Sequence, residues 1–292
     1  MSFVITVVSP DTVVQVSETR LSGFGDQSFV CDNQRKSIVV MGKEVHFALG
    51  WVGLAQTGNH DTGDWLWQQL CGMNAVELPL VRILEDLTGL ATKHFATLQV
   101  ENHNRRCEFV LGGWHKVGDK PEPFTSTISN DLNFHEGQGQ RPPRFISSYV
   151  ASSQFMYSMV KLRPVKTPFV VTVIGDIDET ALSGHFSGLK ALLKKRAEPE
   201  EVCGVCRRIA LEAARRRDKT VGRNLIAVEM TSSGAIRCSY HPDNEEETML
   251  LPDILSTQGA LVKATFRTSV VGDRINTRLR GKRIVLAKQP VN

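Results

Sequence analysis

From Phe3 to Val8 the chain is almost wholly apolar and rich in β-branched residues, and Ser9-Pro10-Asp11 supplies a turn before Thr12 to Val16 resumes the pattern. Runs of strand length bounded by turn residues predict a hairpin at the start of the fold. Ser37 to Met41 and Val45 to Leu49, joined by Gly42-Lys43-Glu44 and followed by Gly50-Trp51-Val52-Gly53, predict a second. The period then changes from two to three or four. Asp61 and Thr62 offer N-caps ahead of Trp65, Leu66 and Leu70, while Leu80, Leu84, Leu87, Ala91 and Leu98 form the apolar stripe of a longer helix. Cys107 to Leu111 and Pro123 to Ile128 read as strands; residues 130–164 mix Gly, Pro, Ser and polar residues without a clean period and read as a long insertion. Phe169 to Ile174 predicts a buried strand ending at Gly175-Asp176. A third helix is expected from about 178 to 196, and a fourth from Glu200, with Val202, Val205, Cys206, Ile209, Ala210 and Ala213 at helical spacing. Asn224 to Met230 and Ala235 to Tyr240 flank Thr231-Ser232-Ser233-Gly234 as a last hairpin.

Hairpins alternating with helix pairs predict antiparallel sheets covered by helices rather than a parallel doubly wound sheet. The expected class is α+β, a four-layer αββα sandwich of two antiparallel sheets between helix layers. It occupies residues 1–244, and residues 245–292 form a C-terminal extension.

Composition narrows the function classes. With 35 basic and 31 acidic side chains the net charge is only +4, too small and too evenly mixed for a dedicated nucleic-acid binder. The segment 257–292 is the exception, with eight Lys or Arg against Asp273 alone; a basic tail of this kind suits a subunit contact at least as well as an acidic partner. Met1 to Val8 lacks the basic start and small-residue cleavage site of an export signal, and no apolar run reaches the roughly 18 residues of a membrane span. A cytoplasmic chain with reduced cysteines, no membrane and no disulfides is expected.

Cofactor signals are weak. Cys203 and Cys206 form a C-x-x-C, but Cys206 lies in the stripe of the fourth helix and no second cysteine pair accompanies them, so core packing is the better reading. The histidines show no H-E-x-x-H spacing, and His94 reads as a core residue of the second helix. Gly112-Gly113 opens no helix and is not followed by Lys-Ser or Lys-Thr, which leaves nucleotide binding unsupported. Lys194-Lys195-Arg196 and Arg215-Arg216-Arg217 fall at helix C-termini, where the helix dipole favours positive charge. Neither metal nor cofactor is assigned.

The element order and several spaced residues resemble the proteasome β-subunit superfamily of N-terminal-nucleophile hydrolases, over roughly residues 2–240 without the insertion. That family begins with Thr, Ser or Cys, followed sixteen positions later by an acid and two further on by Arg; here Ser2, Glu18 and Arg20 have that spacing. Its Lys follows about sixteen residues after the acid, and here Arg35 and Lys36 stand seventeen and eighteen residues after Glu18. Gly53 matches the glycine whose N–H helps form the oxyanion hole. Asp218-Lys219-Thr220-Val221-Gly222 matches the family's Asp-x-x-Ser-Gly with Val in place of Ser, and Asp176 stands where a second Ser is usual.

The resemblance implies a peptidase or amidohydrolase in which Ser2, exposed by removal of Met1, is the nucleophile. Its own α-amine, with a reference pKa of about 7.7–8.0, accepts the hydroxyl proton. Lys36, Glu18, Gly53 and Asp218 are the supporting candidates. It further implies a homo-oligomer such as a ring and a peptide or protein substrate, with room for an ATPase partner. The alternative is a structural or binding protein of the same fold whose site has decayed, as Val221 and Asp176 would suit.

Overall fold

The computed structural model describes residues 2–22, 29–31, 34–101, 105–131, 151–162, 168–175, 182–216, 221–243, 250–257 and 283–286. In chain order the elements begin with β1 (Phe3–Val8), β2 (Thr12–Glu18), β3 (Leu21–Ser22), β4 (Phe29–Cys31), β5 (Ser37–Met41), β6 (Val45–Gly53), β7 (Gln56–Thr57) and β8 (His60–Asp61). Helices α1 (Thr62–Gly72) and α2 (Leu80–Thr97) precede β9 (Cys107–Val117), β10 (Lys120–Asp131), β11 (Ala151–Lys161) and β12 (Val170–Gly175). Helices α3 (Ser183–Lys194) and α4 (Pro199–Arg216) are followed by β13 (Leu225–Thr231), β14 (Ile236–His241), β15 (Asp253–Ser256) and β16 (Arg283–Leu286). The strands form two six-stranded sheets, β12-β1-β2-β13-β14-β16 and β11-β10-β9-β6-β5-β15, with β3-β4 and β7-β8 as small ribbons.

Alternation along the strands makes the layers. Phe3, Ile5 and Val7 of β1 and Val14 and Val16 of β2 pack with the apolar stripe of α4 and with Leu189 of α3. On the second sheet Phe47, Leu49, Trp51, Phe109 and Leu111 pack with Leu66 and Leu70 of α1 and Leu84, Leu87 and Phe95 of α2. The opposite faces meet between the sheets, where Val8, Val13, Val39, Ala48 and Val228 form one cluster and Val4, Val52, Val110 and Ile174 another. The αββα sandwich is therefore the fold, each helix pair hiding the face its sheet would otherwise expose. No helix among the described residues is long and apolar enough to cross a membrane.

Three local expectations differ. Residues 151–161, inside the expected insertion, form edge strand β11 on β10. Phe155, Tyr157 and Met159 turn toward the core under α2, but exposed Met156 and Val160 break the apolar–polar alternation that would have announced the strand. The expected buried strand, β12, lies at the edge of its sheet, and only Val173 and Ile174 of its residues are buried. The segment after residue 244 supplies an edge strand to each sheet: β15 pairs with β5, in parallel, and β16 with β14.

Polar side chains interrupt the apolar interface between the sheets. The Gln15 amide donates to Thr6 Oγ1 at 3.0 Å and accepts from Ser37 Oγ at 3.1 Å, and Ser37 meets Ser17 Oγ at 2.9 Å. A buried polar network with its partners satisfied fixes relative placement, because any slip would strand donors in an apolar interior. Ser17 and Ser37 are the chain neighbours of Glu18 and Lys36, so the network sets where those two side chains meet.

Candidate functional site

Lys36 stands immediately before β5 and is fully buried, as is Glu18 at the end of β2. Burying either charge alone would cost several kcal/mol, so the pair is retained only with good geometry and extra hydrogen bonds. Lys36 Nζ forms an ion pair with Glu18 Oε1, donates to the Arg20 carbonyl and donates to Ser2 Oγ at 2.8 Å. Those three acceptors use the three protons of an ammonium. The Glu18 carboxylate also accepts backbone N–H groups from Phe3 at 3.3 Å, Arg20 at 2.6 Å and Gly222 at 3.1 Å. Four segments of the chain thus converge on one carboxylate.

Ser2, Glu18 and Lys36, expected together, are together. Between the two cations offered by the sequence, Arg35 instead pairs with Asp253 of β15 at 2.8 Å. Arg20 enters through its backbone, one N–H and one carbonyl. Gly53 lies at the same end of the sandwich, one residue beyond Val52, which clusters with Val4. It has φ +104°, and a Cβ there would come within 2.1 Å of the Arg106 carbonyl. Close backbone approach is reason enough for glycine at this position, whatever its relation to Ser2. Asp218 and Asp176 lie outside the described residues.

Two contributors escape the sequence reading. Gly222 supplies an N–H to Glu18, whereas in the sequence it is only the last residue of the run that begins at Asp218. Gly175 has φ +104°, and a Cβ there would lie 1.8 Å from the Ser2 carbonyl oxygen. Only a residue without a side chain lets β12 seat the start of β1. The strand-ending Gly175-Asp176 is the one signal that points to it.

A second polar cluster lies between β8 and the end of α2. Asp61 caps α1, accepting the Asp64 N–H at 2.9 Å. His94 is not a simple core residue: its Nε2 meets His60 Nδ1 at 2.9 Å, and its ring stacks on Trp65 at 5.1 Å. Thr62 Oγ1 donates to the Leu54 carbonyl, so His60 Nε2–H donates to Thr62 at 2.8 Å and His60 Nδ1 accepts from His94. Burial first, then the neighbouring His94, pushes the His60 pKa down to about 4, with Asp61 opposing; burial also lowers that of His94. The histidines face a cleft of about 640 Å³ that Asp64, Trp65 and Gln68 also line. No group of three or more His, Cys, Asp or Glu able to hold a metal occurs among the described residues. Cys203 and Cys206 are buried in the α4 stripe.

No family model matches the sequence, and none of the curated proteins matches it. Similar solved structures include Anbu (ancestral beta-subunit) from Yersinia bercovieri, with TM-score 0.47 and 12% identity over 78% of this chain and 80% of that one. Anbu from Hyphomicrobium sp. strain MC1 gives 0.45 and 13% over 78% and 82%. The helical assembly of the Anbu complex from Pseudomonas aeruginosa gives 0.42 and 17% over 78% and 81%. These findings correct the expectation of membership in the proteasome β-subunit superfamily. With no matching model and likenesses this low, neither family nor residue roles transfer, and the site stands on its own geometry.

Proposed function

We propose that the chain is an N-terminal-nucleophile hydrolase of peptide or amide bonds, with Ser2 as nucleophile once Met1 is removed. The observation that carries this reading is the 2.8 Å hydrogen bond from Lys36 to Ser2 Oγ within the buried pair with Glu18. Ser2 Oγ attacks the substrate carbonyl while its proton passes to the Ser2 α-amine; collapse of the tetrahedral adduct leaves an ester on Ser2 and expels the leaving amine, which takes that proton. Water then hydrolyses the ester. The Lys36 ammonium stabilises negative charge developing on Oγ, and Glu18 fixes the ammonium in place. The Gly53 N–H is the proposed oxyanion donor. Self-assembly belongs to the same reading, supported by the exposed Met156 and Val160 on edge strand β11; light scattering of the purified chain tests it.

A second reading, a structural or binding protein of the same fold, draws on the burial of Ser2, only 5% exposed, and on the fully buried Val221. In that reading the Glu18–Lys36 pair only staples strands. Intact mass and peptide hydrolysis separate the two. Hydrolysis by protein lacking Met1, abolished in Ser2→Ala, is expected; Met1 retained throughout the population excludes the nucleophile.

A further inference from the structure

Glu18 has its hydrogen-bonding capacity filled, but a second carboxylate near the start of β1 does not. Side chains of Thr6 and Val8 on β1 stand over Gly112 of β9, where a Cβ would come within 2.5 Å of Thr6 and 2.9 Å of Val8. Two residues down each strand Val4 clusters with Val110. One further step of the same register brings Ser2 to the level of Glu108. Glu108 is 5% exposed, beside Val52 on β6 and Ser129 on β10. Among the described residues its carboxylate accepts a 3.4 Å hydrogen bond from Ser129 Oγ and forms a long, 3.7 Å ion pair with Arg106, whose Nε also holds Asp131 at 2.9 Å. That Arg106 distance is too long for a hydrogen bond.

Backbone alternation says which group of Ser2 faces it. The Phe3 N–H points toward the β2 side, to Glu18. Successive N–H groups of a strand point to opposite sides, so the nitrogen of Ser2 is directed toward the β12 side. That side lies over β9 and β10, where Thr172 of β12 meets Thr125 of β10 across the interface. The Ser2 hydroxyl is held by Lys36, and its nitrogen lies on the β12 side of β1, at the level of Glu108 on the facing sheet.

We propose that Glu108 is a positioning residue for the Ser2 α-amine, its carboxylate pairing with the ammonium that forms when the amine takes the hydroxyl proton. This role rests on Ser2 being the nucleophile. The proton moves from Oγ to the amine and then to the leaving group, and the Glu108 carboxylate supplies the countercharge that Glu18, engaged with Lys36, does not.

The test is the pH profile of kcat/KM on a fluorogenic peptide for full-length wild type, Glu108→Gln and Glu108→Asp, with Met1 removal checked by intact mass. The acid limb reports the amine losing its proton. Removing a carboxylate at this range should move that limb about one pH unit lower in Glu108→Gln, and a smaller shift in the same direction is expected for Glu108→Asp, where the charge is retained but withdrawn. A merely structural role would lower the whole profile without moving the limb. An unmoved limb in a folded Glu108→Gln overturns the proposal, and if that variant does not fold, an unmoved limb in Glu108→Asp does so. An active wild type with an immovable limb sinks the role of Glu108 alone, whereas a wild type without Ser2-dependent hydrolysis sinks the Ser2 reading and this with it.

Discussion

The Ser2–Glu18–Lys36 knot and the His60–His94 relay are both buried polar clusters, yet they meet the cost of burial in opposite ways. The knot keeps full charges and surrounds them with donors and acceptors from four chain segments. The relay keeps two rings neutral and orders their tautomers from Thr62 outward. A charged cluster is therefore intolerant of losing any one partner, whereas a neutral relay tolerates substitution but not acid. Only the first leaves an ammonium beside a hydroxyl, the arrangement that can stabilise an alkoxide.

Four changes would break or sharpen this contrast. Lys36→Met should be the most damaging, about 3–5 kcal/mol in urea unfolding, because it leaves Glu18 buried without its counterion; adding Glu18→Gln should recover much of that. If the single and double variants unfold alike, the knot is not an ion-pair device. Gly175→Ala should cost about 1–3 kcal/mol or more from its left-handed φ and the collision with the Ser2 carbonyl, and should remove hydrolysis with it. Circular dichroism melts and peptide assays on one preparation read both.

The relay responds to pH instead. Its histidines have folded-state pKa values below the unfolded one near 6.5, so between pH 6.5 and about 4 the unfolded chain binds protons that the folded chain does not. Its contribution is fully present above 6.5 and declines as pH falls toward 4. His60→Gln combined with His94→Gln should flatten that part of the stability curve, and an unchanged slope would mean the decline arises elsewhere. Last comes Ser2→Ala, which leaves one proton of the buried Lys36 ammonium without its acceptor and should cost about 1–2 kcal/mol in unfolding while abolishing hydrolysis.

Much of the fold is legible in the amino-acid sequence. Strands with a one-sided pattern, such as β1 and β2, and helices with a full stripe, such as α4, stand where their periodicity puts them, because burial of one face decides both. Strand β11 is hidden because exposed Met156 and Val160 blur its alternation, and β15 and β16 because four-residue edge strands carry almost no pattern. At the site, the spacing of Ser2, Glu18 and Lys36 is readable, but the choice of Lys36 over Arg35 depends on β5 and β15, which claim Arg35 through Asp253. Backbone donors such as Gly222 leave no side-chain signature, and the link from His94 to His60 spans 34 residues.

The central claim is that Ser2, with its amine exposed, is the reactive hydroxyl of the chain. Incubating full-length wild type and Ser2→Ala with a fluorophosphonate probe, and mapping the adduct by peptide mass spectrometry, tests it directly. The expected result is one adduct, on an N-terminal peptide that begins at Ser2, and none in Ser2→Ala. Unlabelled Ser2 in protein that has lost Met1, or equal labelling of both proteins at another residue, would contradict it.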